Sequence, residues 1–267
     1  MSIYLAIAFV IGGPILVYLL LSRRQKYVAP PGTFPESYRE ILLKDVPFYA
    51  RLDATGKTLF EEKMWRFLSR TRITGVNATV QDVDKVYIAA SAIIPIYGFK
   101  DWEYNNLAEV LLYPESFSHD FGQTGDGRNT LGVVGEGPLQ RIMVLSQHEL
   151  RQAFLNRTSK ENTAIHEFVH LIDKSDGSVD GIPEFFVDRQ YVKPWVQLIH
   201  KEIRKILDNR SDIDPYGATN EAEFFAVVSE YFFERPDLLE LKHPELYQLL
   251  TEVFNQQPAE EARQDKI

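Results

Sequence analysis

Apolar positions recur at helical spacing along much of the chain. Leu59, Phe60, Met64, Trp65 and Leu68 fall on one broad face and predict a helix over 59–69. Trp195, Leu198, Ile199, Ile203, Ile206 and Leu207 repeat at three and four, as do Leu246, Leu249, Leu250, Val253 and Phe254, predicting two amphipathic helices. Thr79 with Asp82 reads as an N-cap pair opening a helix through Ile94, with Pro95 as its stop. Ser146 with Glu149 forms a capping box before a short helix to Leu155. Residues 110–113 and 141–145 read as strands. The Gly-rich stretch 121–138 reads as a loop; it holds neither Gly-x-Gly-x-x-Gly nor Gly-Lys-Ser/Thr, so no phosphate cradle is expected.

Two further segments are apolar nearly all round and should be buried helices. One is 164–172, opened by a Thr158–Glu161 capping box and closed by Asp173. The other is 221–233, with Asn220 at the N-cap. The pattern changes at the ends. Residues 3–21 form an uncharged run of 19 residues, roughly 28 Å as a helix and long enough to cross a bilayer core. No Lys or Arg precedes it, whereas Arg23, Arg24 and Lys26 follow. That favours a retained transmembrane anchor over a cleaved signal, with the following domain in the cytoplasm. The expected organisation is an anchor (1–22), a basic and Pro-rich linker (23–38), one α+β domain (39–255), helix-rich with a small sheet, and a polar tail (256–267) that should fray.

A net charge of −9, a pI near 5.3 and no basic stripe on any predicted helix argue against direct nucleic-acid binding. The absence of cysteine removes disulfides and thiolate ligands, so a transition-metal site must be built from His, Asp and Glu.

Such a site is offered by His166-Glu167-Phe168-Val169-His170. Residues four apart share a helical face, so His166 and His170 can ligate one ion. Glu167, about 100° round the helix, can take a proton from a water on that ion. Burying two histidines and a carboxylate in so apolar a helix is costly unless something pairs with them. A catalytic zinc site needs a third protein ligand. The extension with a third histidine is excluded, because Asp173 and Asp176 stand where its glycine and histidine would be. A carboxylate on the second buried helix is the remaining solution. Glu223 and Glu230, seven apart, share a face there, while Glu221 points elsewhere and favours the helix dipole. Glu223 also occupies a capping-box position. Spacing does not choose between Glu223 and Glu230. Asp173 is a candidate to hold the second ring nitrogen of a ligand histidine.

The segments His166–Asp173, Gly181-Ile182-Pro183, Tyr216-Gly217-Ala218-Thr219-Asn220-Glu221-Ala222-Glu223-Phe224-Phe225-Ala226-Val227 and Ser229-Glu230-Tyr231-Phe232-Phe233 together resemble the Mlc titration factor A, or DgsA anti-repressor, family of zinc-dependent peptidases. So do Leu111–Phe117, Gly137-Pro138 and the strand from Ile142. The resemblance implies a zincin-like fold, zinc (Zn2+) held by His166, His170 and Glu223, Glu167 as general base, and Tyr216 as a hydroxyl stabilising the transition state. By analogy with that architecture, the strand over 141–145 would run beside the substrate backbone. The family's best-known members are soluble, so an anchored chain is a departure from them. The expected partners are a peptide or protein substrate, the membrane and a transcriptional regulator. The rival reading is a membrane-tethered protein that sequesters a cytoplasmic repressor, its zinc structural and closed by Glu230 or Asp173 as fourth ligand.

Overall fold

A computed structural model describes residues 32–117, 131–135, 141–156, 158–183 and 189–260. The expected membrane span, its basic flank and Gly137-Pro138 lie outside the described residues. Among the described residues, no helix is long and apolar enough to cross a membrane.

Ten helices and four strands follow in chain order among these residues: α1 (Glu36–Asp45), α2 (Pro47–Arg51), α3 (Ala54–Arg70), β1 (Arg72–Gly75), α4 (Asp82–Ile96), β2 (Glu109–Tyr113), β3 (Gly132–Val134), β4 (Ile142–Ser146), α5 (Gln147–Leu155), α6 (Thr163–Asp173), α7 (Arg189–Leu207), α8 (Glu221–Glu234), α9 (Pro236–Lys242) and α10 (Pro244–Phe254). Short 3-10 turns occupy Lys174–Asp176 and Pro215–Ala218. This is a helix-rich α+β domain with a small mixed sheet.

The sheet order is β1-β2-β4-β3. β1, β2 and β4 are parallel, with Glu109 opposite Ile142 and Tyr113 opposite Ser146; β3 is antiparallel to β4, with Val133 opposite Val144. One face, through Val110, Leu112, Met143 and Leu145, joins the main helical core. The other is covered by Tyr113, Phe117 and Val144. Burial on both faces is why β2 and β4 read as unbroken apolar runs. The strand expected beside a substrate is therefore misplaced. β4 is interior and paired on both edges, whereas β3, inside the stretch read as loop, carries one of the sheet's two outer edges.

α4 is the central helix, buried from Val86 to Ile96 and packed against α1, α3, α5 and α6. Its N-cap is Gln81, not Thr79: the Gln81 amide donates to the carboxylate of Asp84 at 2.8 Å, and Asp84 also receives Arg151. Pro95 sits within the last turn instead of ending the helix before it.

The domain extends past both expected ends. Phe34 packs edge-on against Tyr38 and Trp65, and α1 starts at Glu36, so the last residues of the expected linker belong to the domain. The first residues of the expected frayed tail are docked. Gln256 is buried and its amide donates to the carbonyl of Ile94 at 2.9 Å, satisfying an acceptor at the open end of α4. Ala259 is buried too, and its N–H donates to the Tyr247 hydroxyl at 3.1 Å.

Candidate metal centre

α6 and α8 pack directly on one another. Ile165, Phe168, Val169, Leu171 and Ile172 drive α6 into the core, leaving His166 and His170 together on its remaining face. The helix begins four residues later than its sequence suggests. Ile165 N–H donates to the Asn162 side chain at 3.1 Å, making Asn162 the N-cap. Thr158 instead donates to Asn156, and Ser159 accepts the Glu161 amide, so 158–161 is a turn.

On α8, Asn220 caps the helix by accepting the Glu223 amide at 2.9 Å. The Glu223 carboxylate reaches across to α6, its Oε2 lying 3.0 Å from His166 Nε2 and 3.3 Å from His170 Nε2. The two Nε2 atoms are 3.0 Å apart. Donors held ~2.0–2.1 Å from one ion at tetrahedral angles stand roughly 3.3 Å apart. Two imidazoles and a carboxylate at this spacing suit zinc. Among the described residues, this is the one group of three or more potential ligands within metal-binding reach of each other.

The other acids go elsewhere. Glu230, level with His166 on the far side of its ring, receives His166 Nδ1–H at 2.7 Å. Asp173 accepts Gly181 N–H at 3.0 Å, and this backbone amide, not a histidine, is its partner. Glu221 lies at the surface, 3.3 Å from His200. Neither candidate for a fourth ligand is thus turned towards the cluster.

Electrostatics follow from this placement. Burial pushes the His166 imidazole down, but the Glu223 and Glu230 carboxylates outweigh it and raise its pKa to about 10. The same pair of negative charges is suited to a divalent cation. Burial pushes the Glu223 carboxyl up, yet the two histidines bring it well below the usual range. Glu167 points inwards, 6% exposed, and burial raises its pKa against the pull of His166 and His170. A raised carboxyl is better placed to accept and return a proton near neutrality.

A cleft of about 1080 Å³ opens over these groups, walled by β3, α6, α8 and the segment before Tyr216. Tyr216, 54% exposed, lies in the Pro215–Ala218 turn, whose start Asp214 caps by accepting Tyr216 N–H at 2.7 Å. Its ring centroid is 6.0 Å from that of His166. Its phenol is raised by burial and by the Glu223 and Glu167 carboxylates. Two residues that sequence reasoning missed complete the surroundings: Asn162, and Gly132, whose bare backbone lies over Glu167. A glycine in a Gly-rich stretch carries no signal of this. An Asn before an apolar run does carry a capping signal, which the Thr158–Glu161 pattern masked.

A family model described as glucose-regulated metallo-peptidase M90 matches residues 20–255, and the chain belongs to that family. Membership implies a metal ion, and the His166, His170 and Glu223 donors accord with one. Mlc titration factor A of Pectobacterium atrosepticum is 29% identical over 206 residues, covering 72% of this chain and 76% of that protein. Its counterpart in Salmonella arizonae is 28% identical over 235 residues, 82% of this chain and 90% of the other. An uncharacterized protein of Synechocystis sp. is 29% identical over 235 residues, covering 84% and 85%.

Proposed function

We propose that this chain is a zinc-dependent peptidase, with zinc held by His166, His170 and Glu223 and Glu167 as general base. The observation that carries the reading is the convergence of those three donors at the floor of an open cleft, with a buried carboxylate beside them. A zinc ion bound there would lower the pKa of water towards ~7 and polarise the scissile carbonyl. Glu167 takes one proton from the attacking water as its oxygen bonds to the carbonyl carbon. It then delivers that proton to the nitrogen as the C–N bond breaks; the second proton of the water stays on the new carboxyl group, and acid and amine part as carboxylate and ammonium once that proton moves to the amine. Tyr216 donates its hydroxyl hydrogen to the oxyanion that develops in between. The substrate backbone lies along β3, whose outer edge is unpaired among the described residues.

Metal analysis joined to a peptide-library cleavage screen tests this. The wild-type chain should hold one zinc and cut peptides, Glu223→Ala should lose both, and Glu167→Gln should keep zinc and lose cleavage. An active Glu167→Gln overturns the general base.

A second reading rests on the relatives named Mlc titration factor A: this chain binds a transcriptional regulator. The two readings part over a hydroxamate, which displaces water from an open zinc site and inhibits cleavage but finds no open position in a closed structural site. The uncharged run 3–21 and the basic residues after it support tethering to a membrane, with the domain on the cytoplasmic side. Protease protection of membrane vesicles tests that placement.

A further inference from the structure

Behind His166 a clasp of carboxylate and amide joins the two helices that carry the candidate ligands. Glu230 is two turns beyond Glu223 on α8, yet it meets the opposite side of the same imidazole. Its Oε1 accepts His166 Nδ1–H at 2.7 Å, and its Oε2 accepts the backbone N–H of Asn162 at 2.5 Å. Asn162 is used three times over. Besides donating its amide to Glu230, it caps α6 through Oδ1 and donates Nδ2–H to Glu234 Oε1 at 2.7 Å. Glu234 is one turn beyond Glu230, so a single residue at the start of α6 grips two successive turns of α8.

The chemistry of that grip is directional. An imidazole whose Nδ1 hydrogen is committed to a carboxylate offers its Nε2 lone pair to a metal, and the ring cannot flip without losing the bond. Glu230 is 7% exposed, with both oxygens occupied. Swinging it to the metal side would leave a buried amide without an acceptor.

We infer that Glu230 and Asn162 are positioning residues for the metal centre: they fix the tautomer and ring direction of His166 and, through Glu234, the separation of α6 and α8. This rests on the proposed assignment of His166, His170 and Glu223 as ligands. Glu230 acts through His166, and Asn162 acts through Glu230 and Glu234.

Glu230→Gln keeps the shape but offers one acceptor where two donors arrive. In the full chain, zinc affinity is measured by competition with a chromophoric chelator, alongside the visible spectrum of the Co2+-substituted form and the unfolding midpoint of the metal-free form. The expected result is a 10–100-fold loss of zinc affinity with an altered cobalt spectrum. A merely structural bond would lower the midpoint and leave both metal readouts at wild-type values, and that result overturns the inference. Should Glu230→Gln not fold, Asn162→Ser keeps the cap and the amide but loses the Glu234 arm. It should bind zinc several-fold more weakly; wild-type affinity there likewise overturns the inference. A wild-type chain that binds no zinc overturns the metal reading itself. If instead wild type binds, Glu223→Ala does not, and Glu230→Gln equals wild type, the metal reading stands and this one falls.

Discussion

Gly132 of β3 lies directly over Glu167 of α6: a Cβ at position 132 would stand 2.7 Å from Glu167 Cγ and 2.9 Å from its Oε1. Thr163 Cγ2, at 2.8 Å, closes the same space from the other side. The edge strand therefore lies so close to the proposed base that any side chain at 132 forces the Glu167 side chain or the strand to shift. Gly132→Ala should displace the Glu167 carboxylate by a fraction of an ångström or more. A misplacement of about 1 Å can cost about 10²-fold in rate. Steady-state kinetics should show kcat reduced by that order while zinc content stays at the wild-type level. A Gly132→Ala chain with wild-type kcat would mean that the close approach has no bearing on proton transfer.

Tyr216 stands at the cleft lip, half exposed, with its ring near His166 and the proposed base. An exposed aromatic with no task tolerates loss of its hydroxyl. A donor to a developing oxyanion does not, and removing one such donor lowers kcat by about 10²–10³-fold. Tyr216→Phe should therefore lower kcat by about two orders of magnitude and leave KM close to wild type, since the bond strengthens only in the transition state. Equal kcat values would remove Tyr216 from the mechanism.

His166, Glu167 and His170 were legible because all three lie on consecutive turns of one helix, where chain spacing is spatial spacing. The long periodic helices α7 and α10 were legible for the same reason. Glu223 and Glu230 were not separable, because they share a face of α8; how far along α8 each lies from His166 depends on the packing of α8 on α6, which no local pattern encodes. Capping signals competed in the same way. Thr158–Glu161 reads as the helix start, and the structure instead uses Asn162, whose backbone amide is claimed by Glu230. β1 and β3 escaped notice as four- and three-residue edge strands with partly exposed side chains, too short for an alternation to register.

Asp173 gives a pH dependence away from the cleft. It is fully buried, Gly181 N–H satisfies one oxygen, and the other has no hydrogen-bond partner among the described residues. Burial raises its carboxyl to about 6. A folded-state value above the unfolded one means the proton is held more tightly by the folded chain. The contribution is therefore fully present below about pH 4 and lost as pH rises through 6. Asp173→Asn keeps an oxygen for Gly181 and removes the buried charge. In urea unfolding of the metal-free chain it should be more stable than wild type by roughly 2–3 kcal/mol at pH 8, and equal to it near pH 4. A difference that does not change between those pH values would refute the assignment.

The opposite wall of the cleft depends on a different charge cluster, centred on Asp212. Its carboxylate accepts Lys242 Nζ at 2.9 Å, Tyr231 OH at 2.9 Å and His243 Nε2 at 2.8 Å, and Lys160 adds a fourth contact at 3.1 Å. His243 is buried, with its other nitrogen 3.3 Å from Glu202. Burial lowers the His243 pKa, but Glu202 and Asp212 together raise it above its ordinary value. The stabilisation from charged His243 is thus complete below about pH 6.5 and disappears as pH rises through the higher folded value. His243→Asn should destabilise the chain by about 2 kcal/mol or more at pH 6, the scale of hydrogen bonds to charged groups, and by progressively less as pH rises through the folded value. Because Asp212 precedes Tyr216 by only four residues, loosening the cluster should also free the segment that carries Tyr216. Hydrogen exchange over residues 209–216 should then quicken in wild type as pH rises through the folded value, beyond the intrinsic rise in exchange rate, and be uniformly fast in His243→Asn. Exchange that follows the intrinsic rate alone in both chains would uncouple Asp212 from the cleft.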